Sequence, residues 1–453
     1  MKTIAAIATP PAVGGIAVIR VSGPCALQIA DRVFTSVSGV PLSQRRGYTA
    51  SYGSFHSADG ILDDGVALVF RSPKSYTGED VAELSCHGGV YVARAVLRAV
   101  LDAGASLADP GEFTKRAFLN GKLSLSQAEA VADLIGAGNA QALGAARAQA
   151  GGALSRRIQQ LRESLLNLAG HLSAWVDYPE EDIPQLEEGA LADSLRQGLE
   201  VLDGLLASFD TGRFLREGID TVIVGKPNVG KSTLMNLLAG CTRSIVTEIA
   251  GTTRDIVEDT VSLDELILRL SDTAGIRSTA DPVERLGVEL ARSRLDTAEL
   301  ILAVFDGSAP LEQEDFQLLE LLEGRPVIGL VNKGDLELRL SVKELEDRLD
   351  SVTVLSALEG EGLDTLKEAI RRKLGLLKLD PAGGILSTER QRECARSARG
   401  SLWEAISALE AGMTLDAVTV SLEEAISALR ELDGDRVTEE VVNRVFSRFC
   451  VGK

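Results

Sequence analysis

The segment Gly225-Lys226-Pro227-Asn228-Val229-Gly230-Lys231-Ser232-Thr233 constrains this chain more than any other. Its spacing is G-x-x-x-x-G-K-S, that of a phosphate-binding loop. The β-branched run of residues 221–224 before it suits a buried strand, and Leu234-Met235-Asn236-Leu237-Leu238 after it suits a helix. Strand, glycine turn and helix in that order aim backbone N–H groups at phosphate oxygens at a helix N-terminus. Lys231 adds a point charge for the β- and γ-phosphates, and the Ser232 hydroxyl is placed to ligate Mg²⁺. Alternating strands and helices after the loop read as a doubly wound parallel sheet.

The loops that follow specify the base. Residues 266–271 read as a strand ending in Asp272-Thr273-Ala274-Gly275. Asp272 suits holding Mg²⁺ indirectly, through a water, and the Gly275 N–H suits the γ-phosphate. Upstream lies Thr247-Glu248-Ile249-Ala250-Gly251-Thr252-Thr253-Arg254-Asp255. A threonine there can complete the Mg²⁺ shell while the γ-phosphate is present and release it on hydrolysis. A strand over residues 327–331 runs into Asn332-Lys333-Gly334-Asp335, and Ser356-Ala357 follows another strand. The Asp335 carboxylate can accept from guanine N1–H and N2–H₂, donors that adenine lacks, and a backbone N–H at Ser356-Ala357 can meet guanine O6. The expected GTP contacts are therefore residues 228–233, 247–253, 272–275, Asn332, Lys333, Asp335, Ser356 and Ala357, with Val229, Gly230 and Thr233 inside the phosphate loop.

In Ras a glutamine after the D-x-x-G loop orients the attacking water. Here Ile276 stands at that place, and an isoleucine cannot do so. Arg277, Asp281, Glu284 and Arg285 are the nearby alternatives. Glu284 is the candidate for aligning water or accepting its proton. It reads equally well as a solvated helix-start glutamate in Asp281-Pro282-Val283-Glu284. The Asn228 side-chain carbonyl could hold a monovalent cation near the phosphates.

The 453 residues, 45% hydrophobic, suffice for about three domains with real cores. The formal charge of -19 lacks the broad basic footprint of an autonomous nucleic-acid binder. The locally basic stretch from Lys115 to Lys122, with Arg156 and Arg157, is the first place to look for RNA contact; otherwise it is a solvated helix face. Cys25, Cys86, Cys241, Cys394 and Cys450 are dispersed without a C-x-x-C pair, which indicates neither zinc nor a disulfide framework. No signal peptide or membrane-length apolar run is visible, so a cytoplasmic protein without membrane association is expected.

Residues 1–119 read as a small α/β or α+β domain. Strands are expected at residues 4–8, 16–21 and 66–70 and a helix at 91–101. Tyr76-Thr77-Gly78-Glu79-Asp80-Val81 and His87-Gly88-Gly89 look like plain turn chemistry taken alone. Leu154, Ile158, Leu161, Leu165, Leu168, Leu172 and Trp175 form a heptad-like stripe on one long helix. Leu191, Leu195, Leu202, Leu206 and Phe209 mark a second, and residues 178–184 stop the first. Leu402, Ile406 and Leu409 offer a partner stripe, followed by helical runs at 421–432 and 438–449. An all-α domain of residues 120–214 and 378–453, interrupted by a nucleotide domain of residues 215–377, is expected.

With these residues assembled, the chain resembles the MnmE (TrmE) family of tRNA-modification GTPases over essentially its whole length. The resemblance rests on Gly78-Glu79-Asp80-Val81, His87-Gly88-Gly89, Pro110-Gly111-Glu112-Phe113 through Asn120, and Leu125-Ser126-Gln127-Ala128-Glu129-Ala130. The nucleotide loops and the terminal Cys450-Val451-Gly452-Lys453 complete it. Gly334 stands where the family often has alanine. The resemblance implies an N-terminal domain that dimerises and binds a one-carbon tetrahydrofolate, as the 5-formyl or 5,10-methylene form, at Arg20, Glu83, Lys122 and Lys453. It implies a Ras-like P-loop GTPase domain inserted in the helical domain and a homodimer. It places K⁺ on Asn228, Thr247, Ile249 (backbone) and Thr252, and Mg²⁺ on Ser232 and Thr253, with Glu284 catalytic. It also implies an FAD-dependent partner, MnmG (GidA). With it the family installs an aminomethyl or carboxymethylaminomethyl group at C5 of the wobble uridine of tRNA. Two other classes stay open at this point: a regulatory or ribosome-assembly GTPase switch, and a folate-dependent transferase merely gated by GTP.

Overall fold

The computed structural model describes residues 2–177, 188–240, 259–264, 266–272, 294–376, 383–447 and 449–452; for 176, 177, 188, 259, 271 and 272 it describes the backbone alone. The chain forms two compact units, Met1–Ala132 with Ile426–Lys453, and Asp133–Ala425.

The first unit is built on a seven-stranded sheet. Its strands are β1 (Ile4–Ile7), β2 (Ile16–Ser22), β3 (Phe34–Ser36), β4 (Thr49–Ser57), β5 (Gly60–Phe70), β6 (Val81–His87) and β7 (Ser106–Leu107), in the order β3-β4-β5-β6-β2-β1-β7. Side chains alternate between faces along each strand. Ala17, Ile19 and Val21 of β2 join Ala82 and Leu84 of β6 beneath α1 (Ala26–Val33) and α2 (Val90–Asp102), where Leu27, Val96 and Val100 close the core. On the alternate positions Ile16, Tyr52 and Val66 are exposed. Helices α3 (Glu112–Leu119) and α4 (Leu125–Gly136) follow. Phe118 and Leu125 pack there against Val442, Phe446 and Phe449 from the end of the chain.

The second unit contains α5 (Ala140–Ala150), α6 (Ala153–Asp177), α7 (Glu188–Ala207) and α8 (Phe209–Glu217), then a six-stranded sheet. Leu154, Ile158, Leu165 and Leu172 of the α6 stripe are buried. The stripe expected to run on through Phe209 breaks: α7 ends at Ala207 and Phe209 opens α8. Ser208 causes the break locally, its hydroxyl donating to the Leu205 carbonyl at 2.6 Å and accepting from the Leu386 N–H at 3.3 Å. Such a side chain competes with the helix's own hydrogen bonds. Leu205 is fully buried, whereas Leu206 is half-buried.

The sheet comprises β8 (Ile219–Val224), β9 (Asp259–Leu263), β10 (Leu266–Asp272), β11 (Leu300–Asp306), β12 (Val327–Asn332) and β13 (Val352–Val354). The order is β13-β12-β11-β8-β10-β9, parallel throughout except for β9. Helices α9 (Lys231–Gly240), α10 (Gln313–Leu321), α11 (Val342–Glu346) and α12 (Leu363–Lys373) alternate with these strands. Leu300, Leu302 and Val304 of β11 face one core and Ile301, Ala303 and Phe305 the other, which is why the strand reads as continuous apolar sequence. Strand order reverses beside β8, so the loop after β8 sits where ligands bind in such sheets. Beyond the sheet come α13 (Glu389–Glu410), α14 (Leu415–Asp433) and, in the first unit, α15 (Glu439–Phe446). Helix α7 packs along α13, with Arg196–Glu410 at 2.9 Å and Arg399–Asp203 at 2.5 Å across the seam. Among the described residues no helix is long and apolar enough to cross a membrane.

Candidate nucleotide-binding site

The phosphate loop leaves β8 at Gly225 with φ 152°, turns at Asn228 with φ 65° and enters α9 through Gly230 with φ 97°. Gly230 permits that backbone and also leaves room: a Cβ there would overlap the Asn332 side-chain nitrogen. Lys231 Nζ donates to the Gly225 carbonyl at 2.8 Å and the Lys226 carbonyl at 2.7 Å. Its ammonium therefore lies across the loop, and Ser232 and Thr233 are exposed on the first turn of α9. Asn228 is exposed and Val229 is buried beneath the loop.

The loops after β12 and β13 join this loop through one side chain. Asn332, 3% exposed, donates from Nδ2 to the Val229 carbonyl at 2.8 Å and accepts at Oδ1 from the Ala357 N–H at 2.9 Å. Asp335 is exposed at the rim, with one oxygen accepting from Ser356 Oγ at 2.5 Å. Lys333, held at φ 65°, pairs with Asp306 at 2.5 Å. Burial raises the Asp306 pKa, but Lys333 and Ser308 outweigh it and hold the carboxyl below its ordinary value. The role of Asp306 was not visible in the sequence; its one signal is its position at the end of β11. Asp272 ends β10 beside β8, and its backbone alone is described. Thr247, Glu248, Ile249, Ala250, Gly251, Thr252, Thr253, Thr273, Ala274, Gly275 and Glu284 lie outside the described residues.

The first unit gathers a second constellation. Arg20 and Glu83 are cross-strand partners on β2 and β6, and the guanidinium meets Glu83 Oε1 at 2.8 and 2.9 Å. It also donates to the Gly452 carbonyl at 3.4 Å and lies 5.6 Å from the ring centroids of both Tyr76 and Phe113. The chain end thus reaches the β2–β6 face, and the Gly111 N–H donates to the Cys450 carbonyl at 3.3 Å. Lys122 donates to the Pro73 carbonyl at 3.1 Å; Lys453 lies outside the described residues.

The motifs that read as plain turns have structural partners here. Glu79 pairs with the buried Arg116 at 3.0 Å and accepts from Ser22 at 2.7 Å, while Arg116 also meets Glu112 at 2.7 Å. Arg116 is therefore committed inside the fold and removed from the basic surface stretch. His87 is gripped by Asp63 through Nδ1 and through its backbone N–H, both at 2.7 Å.

Residues 125–450 match the family described as the MnmE helical domain, and residues 3–122 match the GTP-binding protein TrmE N-terminus. The tRNA modification GTPase MnmE of Heliobacterium modesticaldum is 45% identical to this chain over 462 residues, covering 100% of this chain and 99% of that protein. The chain belongs to the MnmE family of tRNA modification GTPases. The MnmE of Symbiobacterium thermophilum is 44% identical, again over 100% of this chain and 99% of its own length. Among solved structures, a variant of Aquifex aeolicus Era bound to GDP·AlF4⁻ is similar over 40% of this chain and 66% of that one, with 29% identity and a TM-score of 0.28. As an MnmE family member the chain is a GTPase.

Proposed function

We propose that this GTPase is K⁺-dependent and acts with the FAD-dependent partner MnmG (GidA) on tRNA. The pair installs an aminomethyl or carboxymethylaminomethyl group at C5 of the wobble uridine, with the carbon drawn from 5,10-methylene-tetrahydrofolate. The observation that carries this reading is the meeting of Arg20, Glu83 and the Gly452 carbonyl in the first unit. It brings the Cys450–Gly452 segment to the residues proposed for folate, which a plain GTP switch has no use for.

The residues present fit the proposed groups. Glu83 offers a carboxylate to pterin N–H donors, Arg20 holds that carboxylate at 2.8 Å while framed by Tyr76 and Phe113, and Lys122 offers a cation to a glutamate tail. The expectation that Arg20 also faces the tail is corrected by its pairing with Glu83. In the nucleotide site the glycine cradle at 225 and 230 admits phosphate oxygens, Lys231 supplies the charge, and Ser232 presents a hydroxyl for Mg²⁺. Thr253 is the second Mg²⁺ residue proposed. Asn228, with Thr247, Ile249 and Thr252, is proposed to hold K⁺, which supplies positive charge near the β–γ bridge when bound. Asp335 reads the guanine, and Glu284 orients water.

Residues 1–119 are proposed as the folate and dimerisation domain, 120–214 with 378–453 as the helical domain, and 215–377 as the GTPase domain. The exposed sheet positions Ile16, Tyr52 and Val66 support a second copy covering that face. The test is GTP turnover in KCl against NaCl at equal ionic strength, with molecular size followed alongside. A large K⁺-selective gain with compaction on a GTP analogue is expected. Equal rates would remove the cation role of Asn228.

A further inference from the structure

Lys226, the second residue of the phosphate loop, makes a contact that the G-x-x-x-x-G-K-S spacing does not require. Its ammonium meets Glu312 Oε2 at 2.7 Å and Asp315 Oδ2 at 2.7 Å, with its side chain 16% exposed. Both carboxylates lie at the N-terminus of α10, Glu312 as its N-cap and Asp315 in its first turn. Glu312 and Asp315 form a reciprocal capping box there, the Glu312 N–H donating to Asp315 Oδ2 at 2.9 Å. Asp315 is buried, and its Oδ1 has no hydrogen-bond partner among the described residues. Lys226 is thus the counter-charge for a buried carboxylate, and its geometry is fixed from two sides. Burial lowers the Lys226 pKa, but Asp315 and Glu312 outweigh it and raise it above its ordinary value.

The backbone of the same residue does the second half of the work. The carbonyls of Lys226 and Gly225 are the acceptors that hold Lys231 Nζ. The loop around them has positive φ at Gly225, Asn228 and Gly230 and no strand or helix ladder of its own, so its shape must be imposed from outside. We propose that Lys226 is a positioning residue: clamped to Glu312 and Asp315, it fixes the carbonyl cradle that presents Lys231 to the nucleotide phosphates. The inference rests on Lys231 being the phosphate-binding lysine.

The test is binding of fluorescent GDP and GTP analogues to the full chain, with thermal unfolding of each nucleotide-free variant measured in parallel. Lys226→Met is expected to weaken both nucleotides about tenfold, the scale of one charge-assisted hydrogen bond. Lys226→Arg is expected to return affinity to within about threefold, since a guanidinium can bridge the same carboxylates. The double variant K226M/D315N separates clamp from charge. It removes the stranded carboxylate, yet the loop is still unanchored, so affinity is expected to stay low. Recovery of wild-type affinity in that double variant would overturn the proposal, because the defect of K226M would then be only an unpaired buried charge. So would K226M binding within about twofold of wild type, or K226R as weak as K226M. If K226M fails to fold, D315N alone carries the test, with the same weakening expected and unchanged affinity contradicting it. Lys231→Ala is the control on the premise: wild-type affinity there would sink the phosphate-site assignment rather than the clamp.

Discussion

Replacing Asn332 by alanine probes the joint between phosphate loop and base loops. The side chain makes hydrogen bonds to the Val229 carbonyl at 2.8 Å and the Ala357 N–H at 2.9 Å, at a site 3% exposed. Asn332→Ala leaves that carbonyl and that N–H without a partner where water does not reach. Each stranded group costs about 1–3 kcal/mol, so the pair costs roughly 2–6 kcal/mol, shared between fold stability and the nucleotide-competent arrangement. If about half falls on binding, nucleotide affinity drops by roughly ten- to a hundredfold. Titration with a fluorescent GDP analogue reads the affinity, and thermal unfolding of the nucleotide-free protein reads the rest. Asp335→Ala is the internal contrast. Asp335 is exposed, so its loss should weaken GTP and reduce selection of GTP over ATP while leaving the unfolding temperature nearly unchanged. GDP affinity of Asn332→Ala within about threefold of wild type, with no loss of thermal stability, would refute the reasoning.

Arg116→Met strands Glu79 in the interior of the first unit and should cost about 3–5 kcal/mol, seen as a marked fall in unfolding temperature; an unchanged temperature would remove the network from the account. Glu284→Ala should keep GTP binding and abolish turnover in single-turnover assays, and unchanged turnover would sink its proposed role. Burial, reinforced by the Asp63 carboxylate, pushes the Cys86 thiol up to about 11 from its ordinary 9.0. The stabilisation from keeping it neutral is complete below the ordinary value and is lost as pH rises through about 11. Iodoacetamide at about pH 8 should therefore spare Cys86 while labelling the exposed Cys25 and Cys450, as peptide mass spectrometry would show.

What could be read from the chain follows the range of the interactions. The phosphate loop is a short motif whose backbone chemistry is local, so the strand, glycine turn and helix around residues 225–231 were legible by spacing alone. The α6 stripe was legible because burial repeats with the helical period. The break at Ser208 was not, because it depends on a hydroxyl choosing a backbone carbonyl over solvent. Asp306 beneath Lys333, Glu79 beneath Arg116 and Asp315 beneath Lys226 were not legible either. Each is an acid meeting a cation distant in sequence, and only the tertiary fold decides such a meeting. The return of the Cys450–Gly452 segment to β2 and β6 was expected from the family resemblance rather than from any pattern in the residues themselves.

The central claim is tested most directly by nucleoside mass spectrometry of tRNA. The tRNA is incubated with this protein, the FAD-dependent partner, GTP, K⁺, Mg²⁺ and 5,10-methylene-tetrahydrofolate, with glycine or ammonium as amine donor. The account predicts 5-aminomethyl or 5-carboxymethylaminomethyl uridine at the wobble position, lost when GTP or the folate is withheld. An unmodified wobble uridine in the complete mixture, while GTP is still being hydrolysed, would contradict it.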